Sequence, residues 1–290
     1  MSYPPQFKIE PGRPVKLAEF DPAFKGHHEA HSAAAAEIEH YNQRLRVLQE
    51  LLYAEGRRSL LICLQAMDTG GKDGIINHVL AAMNPQGCRV AHFRRPSPEE
   101  AAHDFLWRAH RVAPARGEVV IFNRSHYEDV LVVRVHQSVA KSVWSARYER
   151  INEFERALAE DGTVILKFYL HISSEEQLAR FKERLDDPTK HWKISEADYL
   201  ERRFWPQYLR AYEEALFRCS TERAPWYVIP ANHKWFRNLA VSRIVVETLE
   251  ALEMEFPQPM VDIREIKARY HRVEKDSRNY GRIFVHFRWK

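Results

Sequence analysis

Five short apolar runs, each joined to the next by helical sequence, constrain the fold of this 290-residue chain most strongly. The runs cover residues 59–65, 88–93, 117–123, 163–173 and 224–231. The continuous apolar run of 59–65 suits a strand that is buried on both faces of a parallel sheet, and 117–123 reads as another buried strand. Strands that alternate with helices form right-handed βαβ units. The sequence therefore predicts a three-layer α/β/α fold with about five parallel strands.

The segments around these runs predict the helices and the domain limits. Residues 27–55 have apolar positions three and four apart, and Gly56 is a natural helix end. Residues 97–114 read as one helix that Ser97 caps, and residues 195–220 read as a helix that Pro206 interrupts. The predicted domains are an extended, proline-rich arm over 1–26, a main domain over 27–256 and an extension over 257–290.

Composition excludes several classes of protein. The three cysteines lack the spacing of a disulfide framework or a zinc site. No apolar run approaches the ~20 residues that a membrane-spanning helix needs, and no secretory signal is visible. The net charge of +4 is too small to identify a partner, although local basic clusters can attract polyanions. We expect a cytoplasmic protein with neither a membrane nor a nucleic-acid partner.

The turn after the first run is spelled like a phosphate-binding loop with two departures. The usual pattern is G-x-x-x-x-G-K-[ST], but Ala66 replaces the first glycine and Asp73 replaces the hydroxyl residue. Gly70 and Gly71 let backbone N–H groups approach an oxyanion, and Lys72 adds a mobile charge. A coincidental Gly-Gly-Lys turn is the alternative, which the strand–loop–helix context disfavours. We predict that this loop grips a phosphate chain.

The missing hydroxyl bears on how the loop would hold a metal ion. Asp68 is the residue that we predict binds Mg²⁺, with Mn²⁺ as the alternative, because Mg²⁺ prefers one or two carboxylates together with phosphate oxygens. Thr69 and Asp73 are further predicted phosphate-binding residues. Whether Asp73 touches metal, caps the helix or faces solvent stays open at this point.

A second polar cluster follows the third run. Asn123 and Arg124 stand at the tip of a predicted parallel strand, which is where α/β sheets place their chemistry. We predict that both are catalytic, and that Glu128 and Asp129 bind nucleotide one turn later. Taken alone, this stretch is also compatible with an ordinary capped helix start. Next to a phosphate loop, it supplies the guanidinium and carboxylates that phosphoryl transfer uses.

A third, basic region follows the fourth run. Arg180 and Arg184 are four residues apart and share a helix face, and Lys190 and Lys193 follow across a proline turn. An ordinary charged helix is the alternative. The density of positive charge favours a helical lid over about 178–200 that closes on phosphates and excludes water.

Two histidines also stand at metal-ligand spacing. His27 and His31 are four apart on the predicted helix, but no third ligand is evident from the sequence. We predict that they are surface histidines.

In order along the chain, these regions resemble the polyphosphate kinase 2 family. The matching stretches are MDTGGKDG (67–74), HFRRPSPEE (92–100), FNRSHYEDVLVVRV (122–135), RFKERLDDPTKHWKIS (180–195) and STERAPWYVIPANHKWFRNL (220–239). The resemblance implies a P-loop kinase fold related to the thymidylate kinases. It also implies Mg²⁺-dependent, reversible phosphoryl transfer between inorganic polyphosphate and nucleotides, in a homo-oligomer of two or four chains.

The resemblance assigns roles position by position. Asp68 and Lys72 match the family's Walker A loop, Arg124 matches its Walker B arginine, and the four basic residues of 180–193 match its lid. Arg94 and Arg95, which precede the P-x-x-E-E element, are expected to contact phosphates. Asn123 stands where many diphosphate-specific members have an acid. This form is similar to the class III branch, which phosphorylates nucleoside monophosphates and diphosphates.

Two other functions stay open from the sequence. An ATP-dependent nucleoside monophosphate kinase on the same fold would more often keep the first glycine and the Ser/Thr of the loop. A non-enzymatic polyanion-binding protein would need the basic clusters without the combination of Asp68 and Lys72.

Overall fold

Five parallel strands form one sheet in the computed structural model, which describes the backbone of residues 3–284 and the side chains of 5–79, 81–196 and 199–274. The strands are β1 (Ser59–Ala66), β2 (Cys88–His92), β3 (Val119–Asn123), β4 (Thr163–His171) and β5 (Trp226–Pro230). Their order across the sheet is β2-β3-β1-β4-β5. β1 and β3 are buried along their whole length, which confirms the prediction for these two runs, and so is β5, whereas the edge strand β2 is mostly half-buried.

Twelve helices occur in the described part of the chain. They are α1 (Tyr3–Phe7), α2 (His31–Glu55), α3 (Lys72–Ala81), α4 (Pro98–Ala101), α5 (Trp107–Arg111), α6 (Glu128–Val135), α7 (Lys141–Glu160), α8 (Ser174–Asp186), α9 (Glu196–Glu201), α10 (Trp205–Cys219), α11 (Lys234–Glu250) and α12 (Ile263–Phe284). α2 and α3 pack on α11, whereas α6, α7 and α10 pack on one another. These two groups are the outer layers of the three-layer α/β/α fold.

The register of the sheet brings the carboxyl ends of three strands together. Leu64 of β1 is level with Asn123 of β3, which is level with His92 of β2. After β1 the chain continues to β2 and β3 at one edge of the sheet, and then to β4 and β5 at the other edge. Ligands of open α/β sheets bind in the crevice at such a switch point. The loops after β1 and β3 therefore lie at the expected position of a binding site.

Two predicted helices are refined by the structure. The helix expected over 97–114 is two short helices, α4 and α5, because the Asp104 carboxylate accepts a hydrogen bond from the backbone N–H of Leu106 and forms a turn between them. The capping box of Ser97 and Glu100 at the start of α4 is present. The predicted interruption at Pro206 is confirmed, since α10 begins there after a short 3-10 turn.

The amino-terminal segment packs on the folded body. Lys8 pairs with Tyr227 as an antiparallel bridge, and the Phe7 ring contacts Phe236 edge-on with the ring centroids 6.2 Å apart. A compact unit extends to Glu255, and a second unit begins at Phe256 and contains α12. The basic C-terminal stretch 279–290 lies outside the described side chains. Within residues 3–284, no helix combines the length and apolar character needed to cross a bilayer.

Candidate active site

The loop between β1 and α3 has the backbone of an anion-binding turn. Thr69 and Gly71 both have positive φ values, 61° and 100°. A Cβ on Gly70 would lie 2.5 Å from the Ala66 Cβ, so only glycine fits there. α3 begins at Lys72, directly after this turn. The free N–H groups of a helix start, together with a glycine-opened turn, form a ready site for phosphate.

Lys72 stands in a partly buried position that disfavours its charge. Its Nζ lies 3.4 Å from the Ala66 carbonyl oxygen. Burial lowers the pKa of Lys72 from 10.5 to about 8, and the Arg124 guanidinium lowers it as well, against the opposing effect of Asp68 and Glu128. A lysine that is short of compensating negative charge gains when an anion binds beside it. This environment favours a phosphate ligand.

Arg124 is held in place by the turn after β3. Its φ is 60°, and its backbone N–H donates to the Leu64 carbonyl across the strand ends at 3.1 Å. Its side chain pairs with Glu128 at 3.7 Å, and this carboxylate is the main cause that raises the pKa of Arg124. Burial raises the pKa of Glu128, and the opposing effect of Arg124 and Lys72 is smaller. Glu128 thus holds the cation beside the phosphate loop.

The two unusual residues of the sequence contact each other. The Asn123 side-chain amide donates a hydrogen bond to Asp73 Oδ1 at 3.0 Å. Asp73 therefore accepts a hydrogen bond from Asn123 at the start of α3, and its contact with phosphate stays a prediction. A neutral amide lets this carboxylate stay close to β3 without like-charge repulsion.

Asp68 has the features of a metal ligand. Its Oδ2 is a buried atom without a hydrogen-bond partner among the described side chains, and the nearest cation is Arg184, whose Nη1 lies 3.8 Å away. The backbone of Asp68 is fixed by a bond from Gln177 Nε2 to its carbonyl at 2.9 Å. A buried carboxylate oxygen without a hydrogen-bond donor fits Mg²⁺, whose ligands are oxygens.

Arg180 and Asp129 are buried and bonded to other groups of the protein. The Arg180 guanidinium is buried and donates to the carbonyl of Thr69 at 2.9 Å and to the carbonyl of Asn232 at 3.0 Å. Asp129 is buried and pairs with Arg108 at 3.0 Å. Successive helix residues point about 100° apart, which separates Asp129 from its neighbour in the site. Arg180 supports the loop from below, and direct contacts of either residue with substrate stay predictions.

The remaining basic residues are on the surface. Arg94 and Arg95 are exposed just after β2, at the same edge of the sheet as the loop. Lys190 is exposed and pairs with Asp187 at 2.9 Å, and the Lys193 ammonium lies 4.9 Å from the centre of the Trp192 ring. A long anion can reach these exposed residues from solvent, and their contacts with phosphate stay predictions.

Sequence reasoning missed Arg237 of α11, which packs directly against the phosphate loop. A Cβ on Gly71 would lie 1.7 Å from its Nη1, and a Cβ on Gly74 would lie 2.5 Å from its Nη2. Burial, together with the nearby Arg180 guanidinium, lowers the pKa of Arg237 to about 10. The second glycine of the loop therefore makes room for a cation. Nothing near Gly71 in the sequence indicates that Arg237 packs there, although Arg237 lies in the stretch 220–239 that resembles the family.

A buried polar cluster anchors the chain just after Arg124. Lys167 of β4 donates to Glu155 at 2.5 Å and to the Tyr127 hydroxyl at 2.9 Å. Tyr127 and His126 both contact the same Glu155 carboxylate oxygen, at 2.9 and 3.1 Å. All four side chains are almost completely buried. The cluster fixes the backbone on which Arg124 stands.

The sheet order, the glycine-opened loop with its lysine and the opposing arginine define the class of the protein as a P-loop kinase. Comparison with known proteins then gives the family. The model of the polyphosphate kinase 2 family matches residues 28–257. The chain belongs to this family.

Two relatives in sequence and one crystal structure show how similar the chain is to known members of the family. An AMP/ADP-polyphosphate phosphotransferase of Meiothermus ruber is 54% identical over 258 residues, covering 88% of this chain and 96% of the relative. An ADP-polyphosphate phosphotransferase of Rhodopseudomonas palustris is 44% identical, covering 87% and 92%. The crystal structure of polyphosphate kinase 2 from Arthrobacter aurescens TC1 is similar with a TM-score of 0.90 at 42% identity, covering 94% and 97% of the two chains.

Proposed function

We propose that the protein transfers the terminal phosphoryl group of inorganic polyphosphate to nucleoside mono- and diphosphates, making ADP from AMP and ATP from ADP, and that the transfer is reversible. The observation that carries the proposal is the placement of Lys72 and Arg124 on the two loops that meet at the ends of β1 and β3. The Meiothermus and Rhodopseudomonas relatives, which are polyphosphate phosphotransferases by name, support it.

The chemistry follows from where the charges stand. An oxygen of the acceptor phosphate attacks the terminal phosphorus, a new P–O bond forms, and the bond to the bridging oxygen breaks so that the shortened chain leaves with the electron pair. The acceptor oxygen is already ionised, so no general base is required. Lys72 and Arg124 stabilise the charge on the oxygens of the transferring group.

The remaining residues position this machinery. Glu128 holds the Arg124 guanidinium, and Asn123 holds Asp73 at the helix start. Asp68 would hold Mg²⁺, or Mn²⁺ in its place, and the bound ion would neutralise phosphate charge. The segment over 178–200, with Arg184, Lys190 and Lys193, would close over the polyanion as a lid and exclude water.

One assay separates this function from its rivals. The protein is mixed with Mg²⁺, polyphosphate and either AMP or ADP, and ATP is measured by luminescence, with a second phosphorylation step coupled in for AMP. ATP made from polyphosphate supports the proposal. Transfer only from an added nucleoside triphosphate supports an ATP-dependent monophosphate kinase, and no transfer from either donor supports a polyanion-binding protein.

The assembly and location are proposals of the same kind. We expect a homo-oligomer of two or four chains in the cytoplasm. Light scattering coupled to gel filtration measures the mass in solution, and a single-chain mass would contradict the first expectation.

A further inference from the structure

His27, His28 and Glu37 form a cluster of metal-ligand side chains that the proposed reaction does not use. One imidazole nitrogen from each histidine and one carboxylate oxygen all lie within 4.8 Å of one another. Ligands of a tetrahedral zinc ion, at their usual bond lengths, are about 3.3 Å apart. Small side-chain movements therefore suffice to close the three atoms around one ion.

The structure corrects the pairing that sequence spacing suggested. α2 begins at His31, so His27 precedes the helix, and the four-residue spacing does not place the two rings on one helical face. The His31 ring stacks on Trp235 instead, at 6.5 Å between centroids. The sequence did not reveal that Glu37, nine residues beyond His28, completes the cluster with His27 and His28.

Two of the three ligands are already held in position. His28 is buried, and its Nε2 lies 2.8 Å from Glu37 Oε2. The other carboxylate oxygen of Glu37 lies 3.5 Å from Arg243 Nη1. Carboxylates that bind metals are commonly held by a second group in this way. The pair is therefore oriented before an ion arrives.

The third ligand faces solvent. His27 is exposed, and its ring lies 4.0 Å from that of His28 with a tilt of 38°. Two imidazoles this close gain from a cation shared between them. The exposure of His27 also gives an ion access to the cluster.

We propose that His27, His28 and Glu37 bind a divalent transition metal ion of the Zn²⁺ type. Two imidazoles and one carboxylate form a donor set of zinc enzymes, whereas Mg²⁺ prefers oxygen ligands. The positive charge of Arg243 beside Glu37 weakens the attraction, so we expect micromolar affinity. The ion would tie the segment before α2 to that helix, and it would stabilise the folded chain by mass action.

The test uses the full chain without a histidine tag, stripped with EDTA and kept in excess Mg²⁺. Zn²⁺ is titrated by calorimetry, and Co²⁺ is titrated as a visible-absorption probe. We expect one saturable equivalent per chain and a rise in melting temperature. His27→Ala and Glu37→Gln should each weaken binding at least about tenfold, because each removes one of three ligands.

His40→Ala is the matched control, since His40 is exposed on the same helix and its ring contacts Tyr41. It should bind like the wild type. Because His27 is exposed, His27→Ala should melt with the wild type in EDTA. No saturable equivalent in the wild type, or unchanged binding by His27→Ala, overturns the proposal. Both measurements are independent of phosphoryl transfer. The proposed metal site can therefore be confirmed even if the proposed function is wrong.

Discussion

Raising the pH above about 8 should remove the positive charge of Lys72 in the enzyme that has no polyphosphate bound. Burial and the neighbouring Arg124 lower its pKa from 10.5 to about 8, so the cationic form is present below that pH and lost above it. About 90% of the free enzyme carries the charge at pH 7, and about 9% carries it at pH 9. If only the cationic form binds the polyanion, kcat/KM for polyphosphate falls about tenfold across this range.

The substitution Lys72→Ala sets the scale of the effect. Removing one charge-stabilising donor from a phosphoryl-transfer site costs on the order of 10²–10³ in kcat/KM, which is about 3–4 kcal/mol. The residual activity should lose the fall between pH 7 and 9. Lys72→Arg is the matched variant, since a guanidinium stays charged throughout the range. It should give a flat profile at a lower level, because the larger group fits the loop less well.

The assay is the initial rate of ATP formation from ADP and polyphosphate, measured by luminescence after samples are quenched and brought to one pH. At saturating polyphosphate the fall should shrink, because a bound anion raises the pKa of the lysine again. A Lys72→Ala variant within a few-fold of wild type would refute the role of this residue. A wild-type kcat/KM that stays level up to pH 9 would refute the pKa argument.

Three further substitutions test other contacts. Asn123→Asp places a second carboxylate against Asp73, and it should change the ratio of AMP to ADP phosphorylation about tenfold. An unchanged ratio in parallel assays would contradict this account. Adding Asp73→Asn should restore the wild-type ratio. Arg237→Met removes the buried cation beneath the loop, and it should lower kcat/KM for polyphosphate about tenfold; equal activity at unchanged melting temperature would show that the guanidinium is dispensable. Glu155→Gln leaves Lys167 buried without its counter-charge and should cost about 3–5 kcal/mol of unfolding free energy; a loss below about 1 kcal/mol in urea titration would contradict this.

Local patterns predicted much of the candidate site. The apolar runs identified the strands because a strand that is buried on both faces carries few polar side chains. The Gly-Gly-Lys turn after the first run located the phosphate loop, because an anion needs an open backbone and a nearby cation whatever the rest of the fold is. Asn123 and Arg124 were found because strand ends are where parallel sheets expose side chains.

The sequence by itself determined the elements, the loop and the residues predicted to bind phosphate, since these depend on neighbours along the chain. Only the tertiary structure decided which distant residues meet them. The sheet order sets α11 beside the loop, so Arg237 packs against Gly71, and the register of β1 and β3 brings Asn123 to Asp73. Burial likewise turned Arg180 into a support for the loop. Such contacts depend on how whole layers pack, and no local period or spacing encodes that.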